Sequence, residues 1–126
     1  MINKFQAAFE LLYICSAIDD DVDSNEIDII NEFLESNDMN IDFSTGDVID
    51  DISMLNRDGI IDEFLKSSEA YAQQSSVTEK RILLEFFMSL IISDGEIEDD
   101  EMALFVILTE AFNVDGDKFL NKFFND

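Results

Sequence analysis

The sequence predicts a single all-α domain. Its 126 residues include no proline and only four glycines, which favours long helices over strands joined by tight turns. Apolar residues make up 47% of the chain and recur at helical spacing, so the composition is globular despite the high charge. A chain of this length can bury one core, and we expect residues 1–126 to form one compact domain.

Seven helices are predicted in order along the chain. They span about residues 3–18, 24–36, 44–55, 60–71, 79–92, 102–112 and 118–124. Asp23 or Ser24 can cap the second helix, and Ser44 can cap the third. The fifth is apolar on nearly every side, which is typical of a central helix. We expect helices one and two, and five and six, to form two hairpins that pack together, flanked by the middle helices.

An acidic turn between helices occurs twice, 75 residues apart, starting at Asp19 and at Asp94. Residues 19–27 read DDDVDSNEI and residues 94–102 read DGEIEDDEM. The copies align without a gap as Asp, any residue, acid, β-branched residue, acid, two polar residues, Glu and an apolar residue. The chain therefore contains two helix–acidic turn–helix hairpins.

The charge is extreme and uneven. Thirty acids face seven bases, which gives a net charge of −23. Fourteen acids and no base lie between Lys4 and Arg57, and ten acids and no base lie between Arg81 and Lys118. Such a field repels nucleic acid and anionic membranes, and it attracts divalent cations and basic proteins. We expect no nucleic-acid partner.

Several functional classes lack their usual residues. The chain has no His, the commonest general base and transition-metal ligand, and the lone Cys15 excludes an intrachain disulfide. Cys15 sits in an apolar run and is expected to be a small buried side chain. No secretion signal or membrane-length apolar run is present, so we expect a cytoplasmic protein without a membrane span.

The acidic turns have a purely structural interpretation. Gly95 can end one helix in a left-handed conformation. Acids at 98–100 would begin the next helix, where each complements the helix dipole by about 0.3–1 kcal/mol. An acidic helical hairpin needs no ligand on this reading.

A divalent-cation site is a second interpretation, because carboxylates suit Ca²⁺, Mg²⁺ or Mn²⁺. The spacing excludes a standard EF-hand. A loop starting at Asp21 has Glu26 where a Gly is required, and loops starting at Asp19 or Asp94 have an apolar residue in the twelfth place.

Binding of a basic protein is the third interpretation. Carboxylates can accept bidentate hydrogen bonds from arginines, and complementary charge raises association rate and specificity. They can also mimic nucleic-acid phosphates and block a nuclease cleft. The residues expected to form this face are Asp19, Asp20, Asp21, Asp23, Glu26, Asp94, Glu96, Glu98, Asp99 and Asp100. Acid–base catalysis needs carboxylates in unlike environments, and clustered turn acids do not offer them, so we expect no enzyme.

The second turn resembles the motif of the TerB-like family, which includes tellurite-resistance proteins and the amino-terminal domain of a membrane-anchored DnaJ-type co-chaperone. The resemblance rests on Asp94-Gly95-Glu96-Ile97 followed by Glu101; the first turn has Asp20 in place of the Gly and Val22 in place of the Ile. It implies a compact bundle of about seven helices with two pseudo-symmetric hairpins, and no settled biochemical activity. It also implies divalent-metal binding at Asp19, Glu26, Asp94 and Glu101.

The surplus of charge favours a protein partner over one or two ions. The leading hypothesis is therefore a non-enzymatic, cofactor-free protein that binds and masks a basic partner, most concretely an immunity protein that neutralises a toxin nuclease. The alternative is a TerB-like module that binds Ca²⁺, Mn²⁺ or Mg²⁺ in tellurite or stress response.

Overall fold

A computed structural model describes residues 2–18, 24–36, 43–92 and 98–125, and within these ranges the chain is an all-α bundle without strands. The helices are α1 (Lys4–Ala17), α2 (Ser24–Ser36), α3 (Thr45–Ser53), α4 (Arg57–Gln74), α5 (Val77–Ile92), α6 (Asp99–Phe112) and α7 (Gly116–Asn125). The predicted all-α class is confirmed, and so is the order of the helices.

Side-chain caps begin the middle helices. Ser44 Oγ accepts a hydrogen bond from the Asp47 backbone N–H at 3.2 Å, as the sequence predicts for α3. Asn56 Oδ1 accepts one from the Gly59 backbone N–H at 2.8 Å. The residues 56–59, expected to interrupt a helix, are therefore the cap and first turn of α4, because Asn56 satisfies a backbone donor there.

The central helix is α1. It contacts α2, α3, α4 and α5, and every residue from 7 to 15 is buried. The prediction that α5 takes this place is wrong. Although α5 packs on α1 and α6, Ile82 and Ile92 each remain 37% exposed. Only one face of α5 packs against other helices. An apolar composition on all sides is therefore not enough to place a helix at the centre of the bundle.

The middle helix α4 belongs to the core and lies against both α1 and α6. Its buried face includes the small residues Ser67, Ser68 and Ala70. Small side chains let helix backbones approach closely, and Ser68 Oγ donates a hydrogen bond to the Phe64 carbonyl at 2.8 Å, so its burial is compensated. The expectation that the middle helices only flank the hairpins is wrong for α4.

Aromatic pairs link the helices of the core, and one of them joins the two hairpins. Phe33 of α2 stacks on Phe86 of α5 with ring centroids 4.2 Å apart. Phe87 of α5 lies 6.5 Å from Phe105 of α6 and 6.0 Å from Phe64 of α4. These contacts pack large apolar rings between different helices. Within the ranges that the structure covers, no helix is both long enough and apolar enough to cross a membrane.

Candidate functional site

Both hairpins open at the same end of the bundle. Lys4 Nζ lies 2.7 Å from Glu79 Oε2, which places the amino-terminal ends of α1 and α5 side by side. These helices contact each other and have 14 and 16 residues, so each extends about 20 Å from this point. Their carboxyl-terminal ends, at Ala17 and Ile92, therefore lie toward the opposite end of the bundle. Each leads into one acidic turn.

The direction of α4 places two further helix starts at this end. Gln74 Nε2 donates a hydrogen bond to the Ile2 carbonyl at 2.8 Å, so the end of α4 lies beside the start of α1. Its first residue, Arg57, is consequently at the far end, where it forms an ion pair with Asp100 in the first turn of α6. The amino-terminal ends of α4 and α6 meet here, and α2 begins after a short link from the end of α1.

We call this part of the molecule the acidic end. The described acids at its helix starts are Glu26, Asp58, Glu98, Asp99, Asp100 and Glu101. Amino-terminal helix ends carry partial positive charge, so three of them favour the acids gathered there. The other predicted site residues, Asp19, Asp20, Asp21, Asp23, Asp94 and Glu96, lie outside the described residues.

The acids at the start of α6 differ in their surroundings. Glu98 and Asp99 are exposed. Asp100 is half-buried and pairs with Arg57, which links α6 to α4. Glu101 is only 8% exposed, and its Oε1 accepts a hydrogen bond from the Glu98 backbone N–H at 3.2 Å. One acid thus caps its own helix while its neighbours line the surface.

The two hairpins match residue by residue. Ala17 ends α1 and Ile92 ends α5, and each is followed by a six-residue link before Ser24 or Asp99 starts the next helix. Both helix ends and both helix starts are 75 residues apart, as the acidic turns are. Glu26 and Glu101 are accordingly the third residues of α2 and α6. The structure thus places half of the proposed metal ligands in equivalent positions.

No three Asp, Glu or Cys side chains in the described ranges are grouped closely enough to hold a metal ion. Two of the four proposed ligands, Asp19 and Asp94, lie outside those ranges. The metal hypothesis accordingly depends on Asp19 and Asp94 in the two acidic turns.

A second acidic group lies away from the turns and was not predicted. Glu10 on α1 is 4% exposed and borders a cavity of about 190 Å³ together with Asp51 and Glu63. Burial, and then the negative charge of Glu63, raise the pKa of Glu10 to about 7, against a partial offset from a hydrogen bond donated by Gln6. Glu10 is the sole charged residue in the apolar run 5–18, a signal that could have marked it.

The fold defines a small helical domain built on two acidic hairpins. The family model described as "Tellurite resistance protein TerB" matches residues 5–122, nearly the whole chain, and the chain therefore belongs to the TerB family. This confirms the resemblance seen in the second turn. No curated protein and no solved structure matches the chain.

Proposed function

We propose that this TerB-family domain is a non-enzymatic protein that binds a basic protein partner through its acidic end. The concrete case is an immunity protein that neutralises a toxin nuclease. One observation carries the proposal: α1 and α5, the helices that precede the two acidic turns, start side by side and lead toward the same end of the bundle. Two acidic segments 75 residues apart in sequence would then act as one surface.

The charge of the chain supports a protein partner. Its net charge of −23 is far larger than one or two bound ions would balance. Glu98 and Asp99 are exposed at the acidic end, where arginine or lysine side chains of a partner can reach them. Long-range attraction between opposite charges speeds encounter, and direct pairing then sets specificity.

Binding to purified basic proteins encoded by neighbouring genes tests the proposal. Affinity is measured at about 150 mM salt, where weak nonspecific attraction is screened. Glu98→Gln combined with Asp99→Asn should weaken binding about tenfold or more. Glu35→Gln combined with Glu69→Gln removes the same charge from exposed positions on α2 and α4, and should leave binding nearly unchanged. Equal losses in both double variants, or no binding to any candidate, would reject the proposal.

Divalent-metal binding is the second candidate function. It is favoured by the equivalent positions of Glu26 and Glu101, each the third residue of its helix at the acidic end. Together with Asp19 and Asp94, they would supply the oxygen ligands that Ca²⁺, Mn²⁺ or Mg²⁺ requires. The role would then be a metal-linked module in tellurite or stress response.

Thermal melting with each ion against chelator, at matched ionic strength, tests this candidate. A ligand that binds the folded state raises stability by about 2.7 kcal/mol at a hundredfold excess over its Kd. A saturable, ion-selective rise should disappear in Glu101→Gln, which keeps an oxygen to accept from the Glu98 N–H. It should persist in Asp99→Asn, the matched loss of charge two residues away. Identical melts with and without each ion would exclude metal binding.

A further inference from the structure

A groove between α5 and α7 concentrates positive charge in this otherwise acidic protein. It consists of two adjoining cavities of about 290 and 270 Å³ that share Arg81, Phe119 and Lys122. Lys118 borders the second cavity. Three of the seven bases of the chain thus face one groove.

The described lining of the groove has more cations than carboxylates. Among the residues that the structure covers, ion pairs involve Lys4 and Arg57 but none of the groove cations. Glu85 and Asp115 also border the groove, so its lining holds three cations and two carboxylates. The groove therefore keeps a local excess of positive charge.

The groove walls are apolar. Phe119 and Phe123 stack with ring centroids 6.0 Å apart, and Leu84 is buried beneath the groove. Val77 at the rim is 76% exposed. No residue of α7 is fully buried. Its aromatic side chains are therefore accessible to the apolar part of a ligand. Half-buried rings beside cations offer both contacts that an amphipathic anion needs.

Two helix starts border the groove. The first helical residues of α5 and α7 are Val77 and Gly116. Both starts are already capped by side chains of the protein, since the Glu79 N–H donates to Ser76 Oγ and the Lys118 N–H donates to Asp115 Oδ1. The side-chain cations therefore supply the positive charge of the groove.

We propose that the groove between α5 and α7 binds a small amphipathic anion, an aromatic or aliphatic body that carries a phosphate or carboxylate. The anionic group pairs with Arg81, Lys118 and Lys122, and the apolar body lies on Phe119 and Phe123. A small ligand fits better than an anionic polymer or bilayer, because the net charge of −23 repels an extended anionic surface. The cavity sizes also suit a small molecule.

Heteronuclear NMR titration with 1-naphthyl phosphate at about 150 mM salt tests the proposal. Saturable shifts should centre on the amides of Arg81, Lys118 and Phe119. Inorganic phosphate, which lacks the apolar body, should bind about tenfold more weakly or worse. Arg81→Gln combined with Lys122→Gln should weaken naphthyl phosphate about tenfold or more, whereas Lys66→Gln, an exposed charge on α4, should not.

Circular dichroism and melting temperature establish that each variant is folded. Equal affinity for naphthyl and inorganic phosphate would overturn the proposal, since the rings would then contribute nothing. Shifts outside the groove, or unchanged affinity in the double variant, would overturn it as well. The protein could instead cosediment with phosphatidylglycerol vesicles and show no response to naphthyl phosphate. That result would reject a small ligand and indicate that the groove binds a membrane surface.

Discussion

Lys4 and Glu79 are ion-paired at 2.7 Å, and they are 75 residues apart in sequence. That separation equals the distance between the two acidic turns, so the pair joins equivalent positions in the two hairpins. It holds the starts of α1 and α5 together. Because both helices start at this point and contact each other, both lead toward the other end of the bundle. The equivalent residues Glu26 and Glu101 follow there, each as the third residue of the next helix.

Glu79→Ala should destabilise the protein by about 1–2 kcal/mol, because it removes a helix cap as well as the ion pair. Glu79 Oε1 accepts a hydrogen bond from the Ser76 N–H at 2.9 Å, while Oε2 contacts Lys4. Glu79→Gln keeps an acceptor for Ser76 and should cost less than about 1 kcal/mol, since the ion pair is partly exposed. Urea denaturation measures both. Equal costs would show that the cap contributes little.

The pH dependence of this contribution has a definite sign. The hydrogen bond from Lys4, followed by the one from the Ser76 backbone, lowers the pKa of Glu79 below its usual 4.5. A lowered carboxyl pKa stabilises the fold above the unfolded value, and the contribution is lost as pH falls through the folded value. The difference between wild type and Glu79→Gln should therefore shrink below pH 4.5.

Glu10→Gln should stabilise the protein at high pH. The pKa of Glu10 is raised to about 7 in the fold, so its neutral form is favoured there. Stability from this group is full below the unfolded value of 4.5 and is lost as pH rises through about 7. Replacing the acid by its neutral isostere should raise the free energy of unfolding at pH 8 by about 1–3 kcal/mol and have little effect at pH 4. Denaturation across this range measures it, with exposed Glu69→Gln as control. Parallel curves for wild type and Glu10→Gln would contradict the expectation.

The ion pair between Arg57 and Asp100 should contribute modestly to stability. Their side chains are 59% and 36% exposed, so solvent screens the attraction. A double-mutant cycle with Arg57→Gln and Asp100→Asn should give a coupling energy of about 0.2–1 kcal/mol, reduced at about 1 M salt. A coupling energy that does not change with salt concentration would indicate an interaction other than charge attraction.

Asn113→Ala should destabilise the end of α6 by about 1 kcal/mol, because Asn113 has φ 58 and Asn tolerates this left-handed conformation better than Ala. Asn113→Gly removes the strain and should be neutral or slightly stabilising, although glycine raises the entropy of the unfolded chain. Thermal unfolding of the two variants measures these changes in stability. If Ala and Gly gave the same melting temperature, backbone conformation would not be the determinant.

Local patterns predicted most of the helices, because their causes lie within a few residues of each helix. The cap at Ser44 and the apolar spacing of α1 depend on neighbours three or four positions away. The start of α4 was missed because Asn56-Arg57-Asp58-Gly59 resembles a turn, whereas Asn56 caps the helix through the Gly59 N–H. For the candidate site, the repeat showed which acids are equivalent but not where the hairpins lie.

The sequence by itself determined an acidic, all-helical TerB-family chain with two matched hairpins, since composition, apolar period and a 75-residue repeat are properties of the chain alone. Only the tertiary structure decided that α1 is central, that both hairpins open at one end, and that the α5–α7 groove gathers Arg81, Lys118 and Lys122. These features come from packing between residues far apart in sequence. No local periodicity specifies such packing, because it depends on how the small residues of α4 and the large rings of its neighbours fit together.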